Sequence, residues 1–465
     1  VSPSGDRTIE LNSEPRARFA APIRICAVSH DPSRVHTSAA PVQPLRDLIP
    51  SAAMTKIAIV GGGPGGSSFA LFAIRAGVAP EDLVILDKAT FPRPKLCGGA
   101  LTYRGTEALA ELLGRPTDGG ESRGLEFRSV LGKFPVYERG VQWVYDRSHL
   151  DHALLRACMD AGVEVRQGTS VRDVEPVPNG WRVRHGRDVA ETFDWVVGAD
   201  GARGVVGRSV GLRHGVVGRL VEAVFETDSD ELDPRVLYFD FDPIADGIPG
   251  YAWLFQYPKP GSAYAKNTLP SAPASAGPWK LGIMDGRGVT PGSVLREWTE
   301  RFAARHGFRL VDTKLQGWPE HYYSPHTEAY RPGLVLTGEA WGIDPLLGEG
   351  IAPSIEISRY AARRVKEALD AGTARIAHYE RDFVRTTEEG ENLKFQWRLA
   401  ELLYGSQGRR WMRVLFDHAY MQQVAAAGTE RYGRLAGLQW KLGARYALQV
   451  LRRGLPSNAP LPSPG

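Results

Sequence analysis

The stretch Lys56-Ile57-Ala58-Ile59-Val60-Gly61-Gly62-Gly63-Pro64-Gly65-Gly66 decides the fold. Its first part is apolar and β-branched, the composition of a short buried strand. It runs straight into G-x-G-x-x-G at Gly61, Gly63 and Gly66, and a helical pattern follows. A second apolar run, Leu83-Val84-Ile85-Leu86, ends on Asp87, about 20 residues on, where an acid can bond a ribose hydroxyl. Strand, glycine turn, helix and terminal acid make a complete dinucleotide-binding βαβ fingerprint. Gly61 serves the tight turn, Gly63 lets backbone approach a pyrophosphate, and Gly66 lets the helix pack close on the strand. The helix N-terminus then faces the phosphates with free N–H groups and a positive dipole end.

The bulk composition sets limits around this motif. The 465 residues are 43% hydrophobic and 24% charged, enough for two or three domains of an ordinary soluble enzyme. A net charge of +4 excludes a chain built as a whole to bind nucleic acid. No run approaches the length needed to span a bilayer. The three cysteines, Cys26, Cys97 and Cys158, have neither paired nor metal-type spacing. No metal site is expected, and a reducing, cytoplasmic setting fits. Residues 1–53 are rich in Ser, Pro and Arg and weakly periodic. They read as a disordered tail or as a stretch upstream of the true start at Met54, with a targeting peptide as the rival reading.

Further along, Arg147 to Leu155 has a helical pattern, and Trp195-Val196-Val197-Gly198-Ala199-Asp200-Gly201 reads as a buried strand ending in a polar turn. Leu334-Val335-Leu336-Thr337-Gly338-Glu339 returns to that style, and a long helix is expected from about Gly350 to Leu369. The sequence therefore implies an α/β protein with a discontinuous Rossmann-like nucleotide domain. Its first part covers 54–215 with insertions and its last part covers 331–370. A β-rich substrate domain is inserted over 216–330. Residues 371–465 read as helices ending in a disordered Pro-rich tail, Pro456–Gly465.

Five motifs together resemble the geranylgeranyl reductase family of flavoproteins, relatives of the aromatic-hydroxylase superfamily. They are the glycine fingerprint, Phe91-Pro92-Arg93-Pro94-Lys95-Leu96-Cys97-Gly98-Gly99, Gly198-Ala199-Asp200-Gly201, Tyr251-Ala252-Trp253-Leu254-Phe255, and Gly338-Glu339-Ala340 with Pro345-Leu346-Leu347-Gly348-Glu349-Gly350. Glu339 departs from the family's usual Asp. The resemblance implies FAD, held by Gly61, Gly63, Gly66, Asp87, Lys88, Cys97, Gly98, Arg147, Asp200, Gly338, Glu339, Gly348, Gly350 and Ile351. It places Cys97 near the flavin ring and the substrate, with Cys97, Tyr251 and Trp253 as candidate catalytic groups. Gly99, Tyr251, Trp253, Phe255 and Pro345 would meet the substrate.

The residues themselves allow plainer roles. Cys97 reads equally well as a small buried apolar residue, Lys95 as an electrostatic partner or a solvated charge, and Asp200 as a turn residue bonding its own backbone. Tyr251, Trp253 and Phe255 share one face of a strand, suited to the wall of an apolar cavity or to a core. The helices carrying Trp397, Trp411 and Trp440 pack on their own protein in the preferred reading; lying on a membrane surface is the other.

The expected activity is reduction of isolated prenyl double bonds by hydride from reduced FAD, on a hydrophobic small molecule or lipid. NAD(P)H or a reduced carrier is the expected electron donor. A flavin monooxygenase is the alternative, a halogenase is a weaker third, and a non-catalytic flavin- or lipid-binding protein ranks last. Oligomeric state is not legible.

Overall fold

The computed structural model describes residues 56–114, 119–122, 124–136, 142–229, 231–256, 278–311, 314–417 and 454–462. The expected extension 1–53 with Cys26, the loop 257–277 and Trp440 lie outside the described residues.

The glycine-loop strand Ile57–Val60 sits inside a six-stranded sheet. Leu83–Leu86 pairs with it in parallel on one side, Ile57 beside Leu83. Trp195–Gly198 pairs in parallel on the other, Ile57 beside Trp195. Leu334–Leu336 follows, Val196 beside Leu334, and Glu164–Arg166 lies beyond Leu83–Leu86. All four central strands are buried along their whole length. This explains their unbroken apolar runs, since a parallel strand covered on both faces has no polar side to show. Three distant segments of chain thus share one sheet, as the discontinuous α/β reading requires.

Two helices complete this layer. Pro64–Arg75 begins with Pro in its first turn and has no side-chain cap at Gly63, so its first N–H groups stay free. Ile351–Asp370 packs along it, one residue displaced from the expected helix. The Ser358 hydroxyl joins them, 2.8 Å from the Gly65 carbonyl and 2.7 Å from the Thr337 hydroxyl.

The second large sheet has eight strands and is mostly antiparallel. Its centre is Val217–Glu226, Trp279–Asp285, Gly250–Gln256 and Val236–Asp240, and Gln316–His321 also pairs with the first of these. It recruits the hairpin Gly124–Ser129 and Gly132–Val136, from chain expected to lie among the insertions of 54–215; Val236–Asp240 pairs with Gly124–Ser129 in parallel. The two faces bury different sets. Ala252 and Leu254 lie in a core with Trp279, Leu281 and the helix Gly292–Arg305, whereas Tyr251, Trp253 and Phe255 face Phe127, Phe239 and Phe241. A strand's period of two separates the sets.

Among the C-terminal helices, Tyr379–Thr386 buries Tyr379 and Phe383 against the nucleotide-domain core. Glu388–Leu403 and Gly408–Asp417 carry Leu403, Met412 and Phe416 to the aromatic face of the second sheet. Trp397 and Trp411 pack half-buried against these cores. One expectation is corrected: the described part of the Pro-rich tail, 456–462, is bound. Arg410 donates to the Pro456 carbonyl, Arg413 donates to the carbonyls of Ser457, Ala459 and Pro460, and Leu461 is buried. A Pro-rich segment leaves its carbonyls without internal partners, and two arginines supply them.

Candidate functional site

A cavity of about 1210 Å³ is lined by residues of both large sheets, with the glycine loop toward one end. Gly61 has φ +106°, and its N–H donates to the Leu86 carbonyl at 2.8 Å. A Cβ on Gly66 would stand 1.8 Å from the Gly61 carbonyl oxygen, whereas one on Gly63 would meet nothing nearer than Arg93 at 3.4 Å. The turn is closed where helix and strand pack, and open where Gly63, Pro64 and Gly65 border the cavity. Asp87 accepts from the Gly62 and Ala89 N–H groups, one on each carboxylate oxygen, both at 2.7 Å. Each oxygen keeps acceptor capacity, and Asp87 borders the cavity beside Lys88.

Arg147 starts the helix Arg147–Asp160 and bonds Asp151 through two nitrogens, at 2.8 and 3.0 Å. Burial opposes its charge. Asp151 and then the nearby Cys97 side chain nonetheless hold it above the ordinary arginine value. Arg93 approaches the same carboxylate at 3.2 Å. Asp200 spends one oxygen on the Val205 and Val206 N–H groups, the local turn bonding that was its plainer reading. Burial raises its pKa against those bonds. It still borders the cavity.

Toward the other end, Cys97 is held through its backbone. Its N–H donates to Glu222 at 3.2 Å, and its carbonyl accepts from Lys280 at 2.5 Å. Glu222 and Lys280 lie 3.5 Å apart on paired strands. Behind this clamp, a Cβ on Gly98 would press on Phe255 at 2.8 Å, and one on Gly99 would meet the Tyr145 carbonyl at 2.3 Å. Gly99 also has φ +82°, which favours glycine.

The loop before the helix Ile351–Asp370 is fixed from three sides. Asp344 accepts from the Leu346 and Leu347 N–H groups, and burial pushes its carboxyl up to about 7. The Tyr251 hydroxyl donates to the Leu347 carbonyl, and the Tyr404 hydroxyl to the Leu346 carbonyl at 2.5 Å. Burial, with Tyr404 next, raises the Tyr251 pKa well above its ordinary value, so it stays a donor. Glu349 accepts from the Thr102 N–H at 3.0 Å beside Arg104, which also pairs with Glu389. Gly348, Gly350 and Ile351 thereby reach the cavity, and the helix opens on it without a side-chain cap.

Among the expected residues, the structure places Gly61, Gly63, Asp87, Lys88, Cys97, Arg147, Asp200, Glu339, Gly348, Gly350 and Ile351 on this cavity. Gly66 and Gly338 support it from behind; Gly338, with φ +60°, packs against Gly65 and Ser354. Tyr251, Trp253 and Phe255 do not line it. They are 4–5% exposed and packed in the aromatic core, with the Trp253 indole lying over Gly282. Gly98, Gly99 and Pro345 also lie off its lining. The reason is steric: the Cys97 segment covers the aromatic face.

Sequence reading missed Glu222, Lys280, Trp318 and Glu320, all on the lining. Lys95 and Arg203 both stack on Trp318, at 4.3 and 4.7 Å. Alternation along Val217–Glu226 and Gln316–His321 was the available signal, but only strand pairing brings these residues together. His321 was also missed. Its Nε2 accepts from the Gly215 N–H at 2.8 Å, and its Nδ1 faces the Glu339 carbonyl at 3.1 Å, so the neutral Nδ1–H form fits both.

The residues fit FAD. The glycine turn leaves free N–H groups on the cavity, Asp87 retains acceptor capacity there, and a second helix N-terminus opens at Gly350. Among the described residues, no His, Cys, Asp and Glu cluster is arranged to hold a metal ion, and no helix is long and apolar enough to cross a membrane.

No protein-family model matches the chain. It is 26% identical over 332 residues to the digeranylgeranylglycerophospholipid reductase of Thermoplasma volcanium, covering 68% of this chain and 78% of that one. A geranylgeranyl bacteriochlorophyll reductase-like protein from Thermoplasma acidophilum has a similar fold, with TM-score 0.61 and 23% identity over 75% of this chain and 87% of its own. The flavin-dependent brominase Bmp2 is similar in fold at TM-score 0.62 and 14% identity, covering 86% and 99%. These likenesses bear out the resemblance read from the five motifs and the Rossmann-like α/β fold.

Proposed function

We propose that the chain, a geranylgeranyl reductase-like FAD-dependent oxidoreductase, reduces isolated C=C bonds of a prenyl or related apolar substrate. The observation that carries this reading is the clamped Cys97 segment. It is held by Glu222 and Lys280 at the cavity and backed by Trp253 and Phe255. Reduced FAD, when bound, supplies hydride. Gly63 and Gly65 would hold its pyrophosphate and Asp87 its ribose. The N-terminus at Ile351 would stabilise negative charge on the flavin ring.

An unconjugated alkene has no carbonyl to polarise. Its protonation needs a water-poor pocket and electron-rich surfaces for the developing positive charge. Among the described lining residues Trp318 is the aromatic group, and its ring already carries Lys95 and Arg203, which would have to give way to a developing positive charge. Tyr251, Trp253 and Phe255 serve by fixing the Cys97 segment and the Leu347 loop, which makes them positioning residues. Cys97 is the candidate for contact with flavin and substrate. The lipid named for the Thermoplasma volcanium relative supports a prenyl lipid as substrate. NAD(P)H or a reduced carrier is the proposed donor, and the enzyme would meet its lipid by peripheral membrane contact.

The test is to reduce the FAD-loaded protein chemically, without oxygen, and to analyse an added geranylgeranyl lipid by mass spectrometry. Product gaining two hydrogens per reduced bond is the expected result. Unchanged lipid that gains oxygen once air is admitted would instead indicate a monooxygenase, the reading that the brominase-like fold keeps in play.

A further inference from the structure

The reaction proposed above needs a proton as well as a hydride. We infer that Glu320, bonded by the Tyr322 hydroxyl at the Gly348 end of the cavity, is the proton donor, an assignment that rests on the reductase reading.

Glu320 lies on the strand Gln316–His321 opposite Gly218. The missing side chain at Gly218 makes room for the Tyr322 ring, since a Cβ there would stand 2.2 Å from it. The Tyr322 hydroxyl donates to Glu320 Oε2 at 3.0 Å. The same oxygen lies 3.3 Å from where a Cβ on Gly348 would be, next to the loop that brings Ile351 to the cavity. Glu320 is therefore at the end where Cys97 and the second helix N-terminus meet, and it lines the cavity. Among the described residues no salt bridge neutralises it.

The groups facing it come from every neighbouring element. Glu339 lies on the Gly338 turn, Lys95 on the Cys97 segment, Glu222 on the strand Val217–Glu226, and Tyr251 on Gly250–Gln256. Burial, and next the Glu339 carboxylate, push the Glu320 carboxyl up to about 8. The Tyr322 hydroxyl and Lys95 pull the other way, and Glu222 adds to the rise. At neutral pH it is mainly the acid, the form that can donate.

The step balances. The Glu320 O–H bond breaks, and its electron pair stays on the carboxylate. The proton would bond one alkene carbon using the π pair, and the other carbon would take the hydride that reduced flavin supplies when bound. The carboxylate regains its proton from water before the next turnover.

The test compares the FAD-loaded wild type with Glu320→Gln and Tyr322→Phe. Three readouts are taken: infrared titration of protonated carboxyl groups, flavin affinity, and anaerobic single-turnover reoxidation of reduced flavin by a geranylgeranyl lipid across pH 6–10. A carboxyl band lost near pH 8 in wild type and missing in Glu320→Gln is expected. Flavin affinity should stay within about twofold, while reoxidation slows about 100-fold or more. The wild-type rate should fall above about pH 8 and Glu320→Gln should lack that fall. Tyr322→Phe removes a bond that favours the carboxylate, so its fall should move to higher pH. Equal rates and pH profiles in wild type and Glu320→Gln would overturn the assignment, as would a Glu320 that is ionised at pH 7. A wild type that shows the band but is never reoxidised by alkenes overturns the reductase reading, and the donor role with it.

Discussion

The two ends of the cavity are built in opposite ways. At the glycine loop the site is backbone. Gly61 needs its positive φ, Gly66 admits no Cβ, and the ligand-facing groups are N–H donors. At the Cys97 end the site is drawn from four separate segments: Glu222, Lys280, Trp318 with Glu320, and the Gly348 loop. Backbone sites tolerate no substitution at a few positions. Side-chain sites can be retuned one residue at a time, which suits a fold shared by a reductase-like protein and a brominase.

The largest expected effect lies at the backbone end. Gly66→Ala drives a methyl to 1.8 Å from the Gly61 carbonyl oxygen; overpacking costs about 1–3 kcal/mol where neighbours can shift, and backbone this close cannot, so the cost lies well above that range. The protein should purify without flavin and with a lower urea midpoint. If Gly66→Ala keeps its flavin, the contrast between the ends fails. Next in size is Asp151→Ala, which leaves Arg147 buried without its carboxylate. Breaking a buried pair costs about 3–5 kcal/mol. Urea unfolding checks this, and the Cys97 segment should become more reactive to thiol reagents, because the Arg147 charge then acts on Cys97 without Asp151 to offset it.

How much of this could be read from the chain follows the same division. The glycine loop, Asp87 and the four buried strands were legible because local backbone geometry demands those residue types in that order. The alternation of Tyr251, Trp253 and Phe255 was legible too. Which surface that face meets was not, since it depends on the Cys97 segment folding over it. Glu222, Lys280 and Glu320 were invisible for a related reason. Each is an ordinary polar residue in a strand until antiparallel pairing sets Glu222 opposite Gly282 and Glu320 opposite Gly218. The bound tail was missed because its partners, Arg410 and Arg413, lie 44 to 47 residues upstream and look solvated in sequence.

A pH experiment sharpens the comparison behind the cavity, at the Glu339 turn. Burial, with His214 second, lowers His321 to about 4. Its folded pKa lies below the unfolded value of 6.5, so the unfolded state takes up the proton first. Stability from this group is present above about pH 6.5 and is lost as pH falls toward 4. At about 1.4 kcal/mol per unit, the loss is on the order of 3 kcal/mol. Urea unfolding from pH 7 to 4.5 should show an acid-side slope that His321→Gln reduces. An unchanged slope would mean that the Gly215 bond does not hold His321 neutral.

The smallest expected effect is Tyr251→Phe. It removes one hydrogen bond to the Leu347 carbonyl and costs about 1 kcal/mol. Flavin binding should weaken severalfold while the protein stays folded, as flavin fluorescence titration would show. Abolished turnover with unchanged flavin binding would instead make Tyr251 a catalytic group.

The central claim is that both ends serve one reaction, hydride transfer to an isolated alkene. The most direct measurement is the flavin absorbance of the reduced protein mixed with a geranylgeranyl lipid in the strict absence of oxygen. Reoxidation in step with hydrogenated lipid is the expected result. Flavin that stays reduced until oxygen enters, across prenyl lipids and quinones, would contradict it.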